Sequence, residues 1–244
     1  MAVETTNLLL ATNALQVANS LEQTNALLQP PALLAHTQAA GLQSGNSFYT
    51  TPGIDTTGAT LLVAVLGSYQ GAGTAWTIQD SKGNVWYAAP NTNLSSGTGY
   101  KHNGPAVYYC YAPTVGAGHT FSAKIGAGWD IAISFFAFSN TNATSAVYES
   151  EVDLYPNPPA QAGSIAPNGA NDVVIAVIDC TNGFAPPTFT INQSFNIIDQ
   201  ADNSGQGCAL ATAYLVSPAG AAVNPTWSNA SGQAGVQNVT FAHA

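Results

Sequence analysis

Two apolar runs set the frame of this chain. The first, Leu61–Leu66, lies in GATLLVAVLGS, residues 58–68, and carries no polar position on either face. A strand apolar on both faces is one covered on both faces. The run returns as GANDVVIAVIDC, residues 169–180, so Val173–Ile178 is predicted to be its counterpart. Around the first run, Val107–Ala112 and His119–Ile125 alternate as strands do, and Ile131–Phe138 is apolar on both faces. Strands are also predicted at Ser47–Thr51, Thr74–Gln79, Asn84–Ala88 and Ala146–Tyr155. The segment DSKGN, residues 80–84, has the Asp and Gly of a tight turn and predicts a hairpin between Thr74–Gln79 and Asn84–Ala88. Past PNPP at 156–159 the order repeats. Phe189–Asn192 and Phe195–Gln200 echo the hairpin, Cys208–Val216 echoes Val107–Ala112, Pro225–Ser228 echoes His119–Ile125, and Val236–His243 echoes Asp130–Phe138. Short strands at this spacing predict a mainly β fold. The expected form is a jelly-roll-like two-sheet sandwich over 46–244, built from two related halves of about 46–155 and 160–244 and preceded by an N-terminal α-helix.

That helix is predicted over residues 3–28, which hold no Pro or Gly and are rich in Ala, Leu and Gln. Pro30 and Pro31 end it. Val3, Leu10, Val17 and Thr24 fall in one register of a heptad, and Asn7, Ala14, Leu21 and Leu28 in the other. The helix lacks the charged outer face of a freely exposed one. It is expected to pack on copies of itself or on a neighbouring subunit, the alternative being its own domain. Val3, Leu10, Ala14, Val17, Leu21 and Leu28 are the candidate oligomerisation or anchoring residues. Leu8, Leu9, Leu15 and Leu27 lie off that seam and need a second surface. A second helical piece is predicted at Ala32–Ala40, with Gly41 as its stop, so residues 1–42 read as a helical anchoring segment.

Charge narrows the function. Three Lys stand against twelve Asp and Glu, for a net charge of −9, and only 6% of residues are charged. Nucleic acid, which is bound by clustered cations, is excluded as a partner, and so is an anionic membrane surface. No apolar run reaches the roughly 18 residues of a membrane span. The opening MAVETTNLLLAT carries an acid where an export signal carries cations. A surface-type sandwich without such a signal fits release by cell lysis, as in a virus particle.

Candidate chemistry is sparse. Cys110, Cys180 and Cys208 have no metal-binding spacing and read as small buried hydrophobes, with one disulfide and a spare thiol as the alternative. His36, His102, His119 and His243 are scattered, so no metal and no cofactor is expected. Glu149, Glu151 and Asp153 share one strand face and read as a solvated acidic edge that blocks unwanted pairing. No catalytic set is expected. Trp86 and Tyr87, beside a polar loop at 90–105, and Trp129 are the candidates for stacking on a glycan, against the alternative of sheet packing.

The pieces TLLVAVLGS, IQDSKGNVWY and YYCYAPTVGAGHTF, followed by FAFSNTN, ANDVVIAV and VTFAHA, resemble a sandwich module of bacteriophage virion proteins and bacterial surface proteins. The resemblance spans about residues 46–244 and implies a fold and a virion or cell-surface setting, with no catalytic residues. The expected protein is therefore a structural virion component, a capsid decoration, head fibre or tail part. Its expected partners are other virion proteins and copies of itself, and host-surface polysaccharide if it acts as an adhesin.

Overall fold

A computed structural model describes residues 10–18, 20, 29–69, 76–90, 102–126, 130–141, 148–154, 160–180, 188–203, 207–218, 220–228 and 234–243. Residues 10–18 form a helix, α1. The remainder is built from fifteen strands: β1 (Ala32–Leu42), β2 (Tyr49–Thr50), β3 (Leu61–Tyr69), β4 (Thr77–Asp80), β5 (Tyr87–Ala88), β6 (His102–Tyr111), β7 (Phe121–Lys124), β8 (Asp130–Ser139), β9 (Tyr148–Leu154), β10 (Val173–Cys180), β11 (Thr190–Ile191), β12 (Asn196–Asn203), β13 (Cys208–Val216), β14 (Trp227–Ser228) and β15 (Ala234–Phe241).

The two apolar runs are the central strands of two large sheets. β3 is third of five in the order β1-β8-β3-β6-β5, and β10 is third of five in β12-β13-β10-β15-β9. Read from the opposite edge, the second order is the first one over again. β9 stands for β1, β15 for β8, β10 for β3, β13 for β6 and β12 for β5. A small sheet, β2-β7-β4, backs the first large sheet. Its counterpart is the β11–β14 pair, with Ala160 bridging Trp227 where β2 pairs with β7. Each half is thus a jelly roll of its own, with sheets ordered 1-8-3-6-5 and 2-7-4, strand 2 of the second half being the single bridge at Ala160, and the protein is a sandwich of two such units.

Alternation along the central strands explains why they are apolar throughout. Leu61, Val63 and Val65 face a core shared with Val173, Ile175 and Val177, closed by Phe136, Phe138, Leu210, Val239 and Phe241. Leu62, Ala64 and Leu66 point the other way, into a core with Phe121, Ile125 and Phe135. Val174, Ala176 and Ile178 do the same with Phe189, Phe195 and Trp227. Each central strand therefore serves two cores. The outer cores are internal to each half, and the middle one joins the halves face to face.

Three expectations are corrected. Ala32–Ala40 is not helical: it lies in the edge strand β1, paired antiparallel with β8 from Ala32↔Ser139 to Leu42↔Asp130. Its Ala, Leu and Gln favour a helix locally, but the outer edge of β8 has ladder groups that need a partner, and tertiary pairing overrides a weak propensity. The two hairpins are not hairpins. β4 pairs with β7 and β5 with β6, so the DSKGN turn carries the chain from the small sheet to the large one; β11 and β12 likewise part to β14 and β13. Finally, β9 pairs with β15. The strand at the end of the predicted first half thus opens the second, and the structural repeat runs over 32–141 and 148–243.

Candidate functional site

The chain enters and leaves the body at one end. His243 Nε2 lies 2.8 Å from the carbonyl oxygen of Gln29, and Asn140 Nδ2 donates to the carbonyl of Pro30 at 3.1 Å. Asp172 holds the other side of this clasp, accepting from the backbone N–H of His243 at 2.9 Å and of Gly169 at 3.1 Å. Thr141 and His243 form a bridge between the ends of the two halves. This end, the base, is where the segment that includes α1 joins the body.

α1 lies off the body. Every described residue of 10–18, and residue 20, is exposed. Leu10 is 63% exposed, Leu15 65% and Val17 58%, values at odds with their apolar side chains. Ala14 is exposed beside them. Three of the six candidate anchoring residues, Leu10, Ala14 and Val17, are thus brought onto one uncovered helix; Val3, Leu21 and Leu28 lie outside the described residues. Helices this short are marginal in water without a packed face. No helix among the described residues is long and apolar enough to cross a membrane.

The aromatic candidates separate. Trp86 is half-buried; it meets Phe121 and Phe135 edge-on at centroid distances of 6.1 and 5.9 Å, and its Nε1 donates to Asp80 Oδ2 at 2.8 Å. That is the sheet-packing alternative, with the ring's polar handle satisfied. Tyr87 is 55% exposed and lies 5.9 Å from the Tyr109 ring, at the outer end of a row that continues through Tyr111 to Phe241. Trp129 lies outside the described residues. The side chains of Glu149, Glu151 and Asp153 do so too.

A buried polar set near the base escaped sequence reasoning. Asp80 ends β4, and His119 and Thr56 come from the loops before β7 and β3 respectively. His119 Nδ1 and Thr56 Oγ1 share a hydrogen bond of 2.9 Å, and His119 Nε2 lies 3.1 Å from Asp80 Oδ1 without hydrogen-bond geometry. Gly116 N–H donates to Thr56 Oγ1 at 3.1 Å. Asp80 Oδ1 also accepts from the Lys82 N–H at 2.8 Å and from Asn84 Nδ2 at 3.3 Å. Burial pushes the Asp80 carboxyl up, but the Trp86 N–H, the adjacent His119 ring and the turn N–H groups of Lys82 and Asn84 outweigh it and hold it below its ordinary range. Thr56 and His119 are fully buried. The order hydroxyl, imidazole, carboxylate is that of a nucleophile relay, yet here it ties the end of β4 to two loops beneath a stacked His119–Phe121 pair. In the second half Val223 bridges Ile165 as His119 bridges Ile54, so His119 has no imidazole counterpart there.

A second histidine–carboxylate contact crosses between the halves. His36 Nδ1 of β1 lies 2.8 Å from Asp199 Oδ1 at the bulge of β12. Burial raises the Asp199 carboxyl and the His36 contact draws it back in part. Cys110, Cys180 and Cys208 are buried and form no disulfide, which removes the disulfide alternative. Burial and the charge of Asp80 push the Cys110 thiol up to about 11. Among the described residues, no group of three or more His, Cys, Asp or Glu side chains is placed to hold a metal ion.

Comparisons of the chain with family models, with curated proteins and with solved structures found no match.

Proposed function

We propose that this is a structural protein of a bacteriophage particle, a capsid decoration, head fibre or tail component. Its N-terminal helix attaches it and its double sandwich stands exposed. It acts by assembly rather than catalysis, its partners are other virion proteins, and it works without cofactor, nucleic acid or membrane insertion. The observation that carries this reading is α1, an apolar helix with Leu10, Leu15 and Val17 uncovered at the base of an otherwise well-packed body. An exposed apolar helix in a chain of such low charge marks a docking element. The neutral, acid-leaning surface and the resemblance to virion sandwich modules support the setting.

The test is composition. Purified particles should contain the chain in stoichiometric amount, and removal of residues 1–28 should abolish its incorporation. A chain found only free in the lysate, or incorporated equally well without residues 1–28, sinks the reading.

A second reading, a carbohydrate- or receptor-binding adhesin on a phage or bacterial surface, is favoured by one observation, the 55% exposed ring of Tyr87. Its test is a glycan array read with the native chain and with Tyr87→Ala. Trp86→Ala is unsuited to this, because that ring packs the first outer core.

A further inference from the structure

We infer that the uncovered face of α1 is closed by the same helix of a second copy of this chain, parallel and in register. This deepens the reading of α1 as the attachment element by naming its first partner. Three observations point to a copy of itself rather than a foreign surface.

The first is the seam. Leu10, Ala14 and Val17 are spaced by four and three residues, so they lie along one stripe of the helix, and all three are exposed. In the sequence the stripe continues as a heptad with Val3, Asn7, Leu21, Thr24 and Leu28. A repeat of 3.5 residues is the pattern by which one helix meets another of the same kind.

The second is the polar layer. The 3–4 spacing puts Ala14 and Leu21 at the a positions and Leu10 and Val17 at d, and Asn7 falls at a. A lone Asn at an a position lowers stability but fixes register, because its amide needs a polar partner across the seam. In a parallel pair of identical chains, Asn7 meets Asn7 and Thr24 meets Thr24. Overlaid antiparallel, the same seam sets Asn7 against Thr24, so the polar layers mark a copy of this helix as the partner but do not set its direction; against an apolar groove each would meet an apolar side chain and a buried amide would be left without a partner.

The third is direction and charge. The clasp of Gln29 to His243 and of Pro30 to Asn140 fixes the chain at the base, and two prolines follow. Parallel helices therefore put all bodies on one side, as a projecting assembly requires. Between residues 3 and 28 the only charges are Glu4 and Glu22. No cation is present to pair with them, so recognition rests on the apolar seam and the polar layers. Leu15 lies off the seam at b and stays uncovered in such a pair, which leaves a separate apolar strip for the particle.

The experiment uses the full chain. Its mass in solution is measured by light scattering at micromolar concentration and should be an integral multiple of the 24.9 kDa protomer. Ala14→Cys, at a seam position, and Thr12→Cys, at the outermost position f, are then oxidised mildly. The native thiols are buried and serve as an internal blank. Ala14→Cys should give an interchain disulfide in most of the material and Thr12→Cys little, a ratio of tenfold or more. Asn7→Leu should keep the association but broaden it to mixed sizes. A monomeric mass overturns the inference, and so does equal cross-linking of the two variants. The two readings fail separately. A self-associating chain absent from particles sinks the virion reading alone, and a monomer incorporated into particles through residues 1–28 sinks this one alone.

Discussion

At the scale of single residues, the two halves are tuned to each other where their central strands meet. Gly67 and Asp179 occupy the same position of the repeat, and they face one another across the middle core. A Cβ built on Gly67 would lie 2.8 Å from Asp179 Cγ, a separation that side chains do not tolerate. Gly67→Ala is therefore expected to cost about 1–3 kcal/mol, as overpacking of a well-filled core does, in urea denaturation. An unchanged midpoint would mean that the halves slide apart at no cost. Asp80 supplies the second residue-scale test. Because its folded carboxyl is held below the ordinary range, its contribution is present above an unfolded value of about 4 and is lost as pH falls through the folded value. Asp80→Asn should therefore lower stability by about 1–3 kcal/mol at neutral pH, the range for a buried charged acceptor. That difference should be smaller at pH 3 than at pH 7. Trp86, bonded to the same carboxylate, provides the fluorescence readout. An equal loss at both pH values would refute the role given to its charge.

At the scale of elements, what was legible in the sequence is what depends on burial. β3, β10, β8 and β13 were readable because strands buried on both faces leave long apolar runs. The doubling was readable because the runs recur in the same order. What was not legible depends on pairing between distant segments. Ala32–Leu42 carries helix-forming residues and shows its strand character only through β8, while its counterpart β9 is an unlike, acidic sequence on the same edge of the other half. The DSKGN turn has hairpin chemistry, and no local signal tells that its two arms part to different sheets. The clamp of Asp80, His119 and Thr56 was invisible for the same reason, since its members lie on a strand end and two loops far apart in the chain. α1 and β1 make opposite predictions on truncation. α1 is exposed at every described residue, so removing residues 1–28 should leave the melting temperature of the body within about 2 °C, less than a 1 kcal/mol change would produce in a chain of this size. Removing residues 1–42 strips the partner from β8 and opens an edge beside Phe136 and Phe138, and should give aggregated protein on gel filtration. A soluble, folded product lacking β1 would show that β8 needs no partner.

At the scale of the whole molecule, the question is whether two jelly rolls make one cooperative unit or two. Each large sheet has an apolar inner face, and the middle core gathers Leu61, Val63, Val65, Phe136 and Phe138 from one half and Val173, Ile175, Val177, Val239 and Phe241 from the other, all buried. Neither face has any other cover among the described residues. A half on its own would present that whole face to water, a larger apolar patch than monomers normally tolerate. One transition is therefore expected on heating, with equal calorimetric and van't Hoff enthalpies. Outer-core substitutions discriminate further. Leu62 lies in the outer core of the first half and Ile178 in that of the second, far from the shared layer in contact terms. Leu62→Ala and Ile178→Ala should each cost about 2–5 kcal/mol. If the middle core couples the halves, either variant lowers the single transition as a whole and leaves one peak. If it does not, each variant splits the trace, moving only the half it occupies. Residues 29–141 and 148–243 expressed separately should bind a hydrophobic dye strongly and lose that binding when mixed. Two separately stable, dye-silent halves would overturn the account of the middle core as the layer that makes this chain one protein.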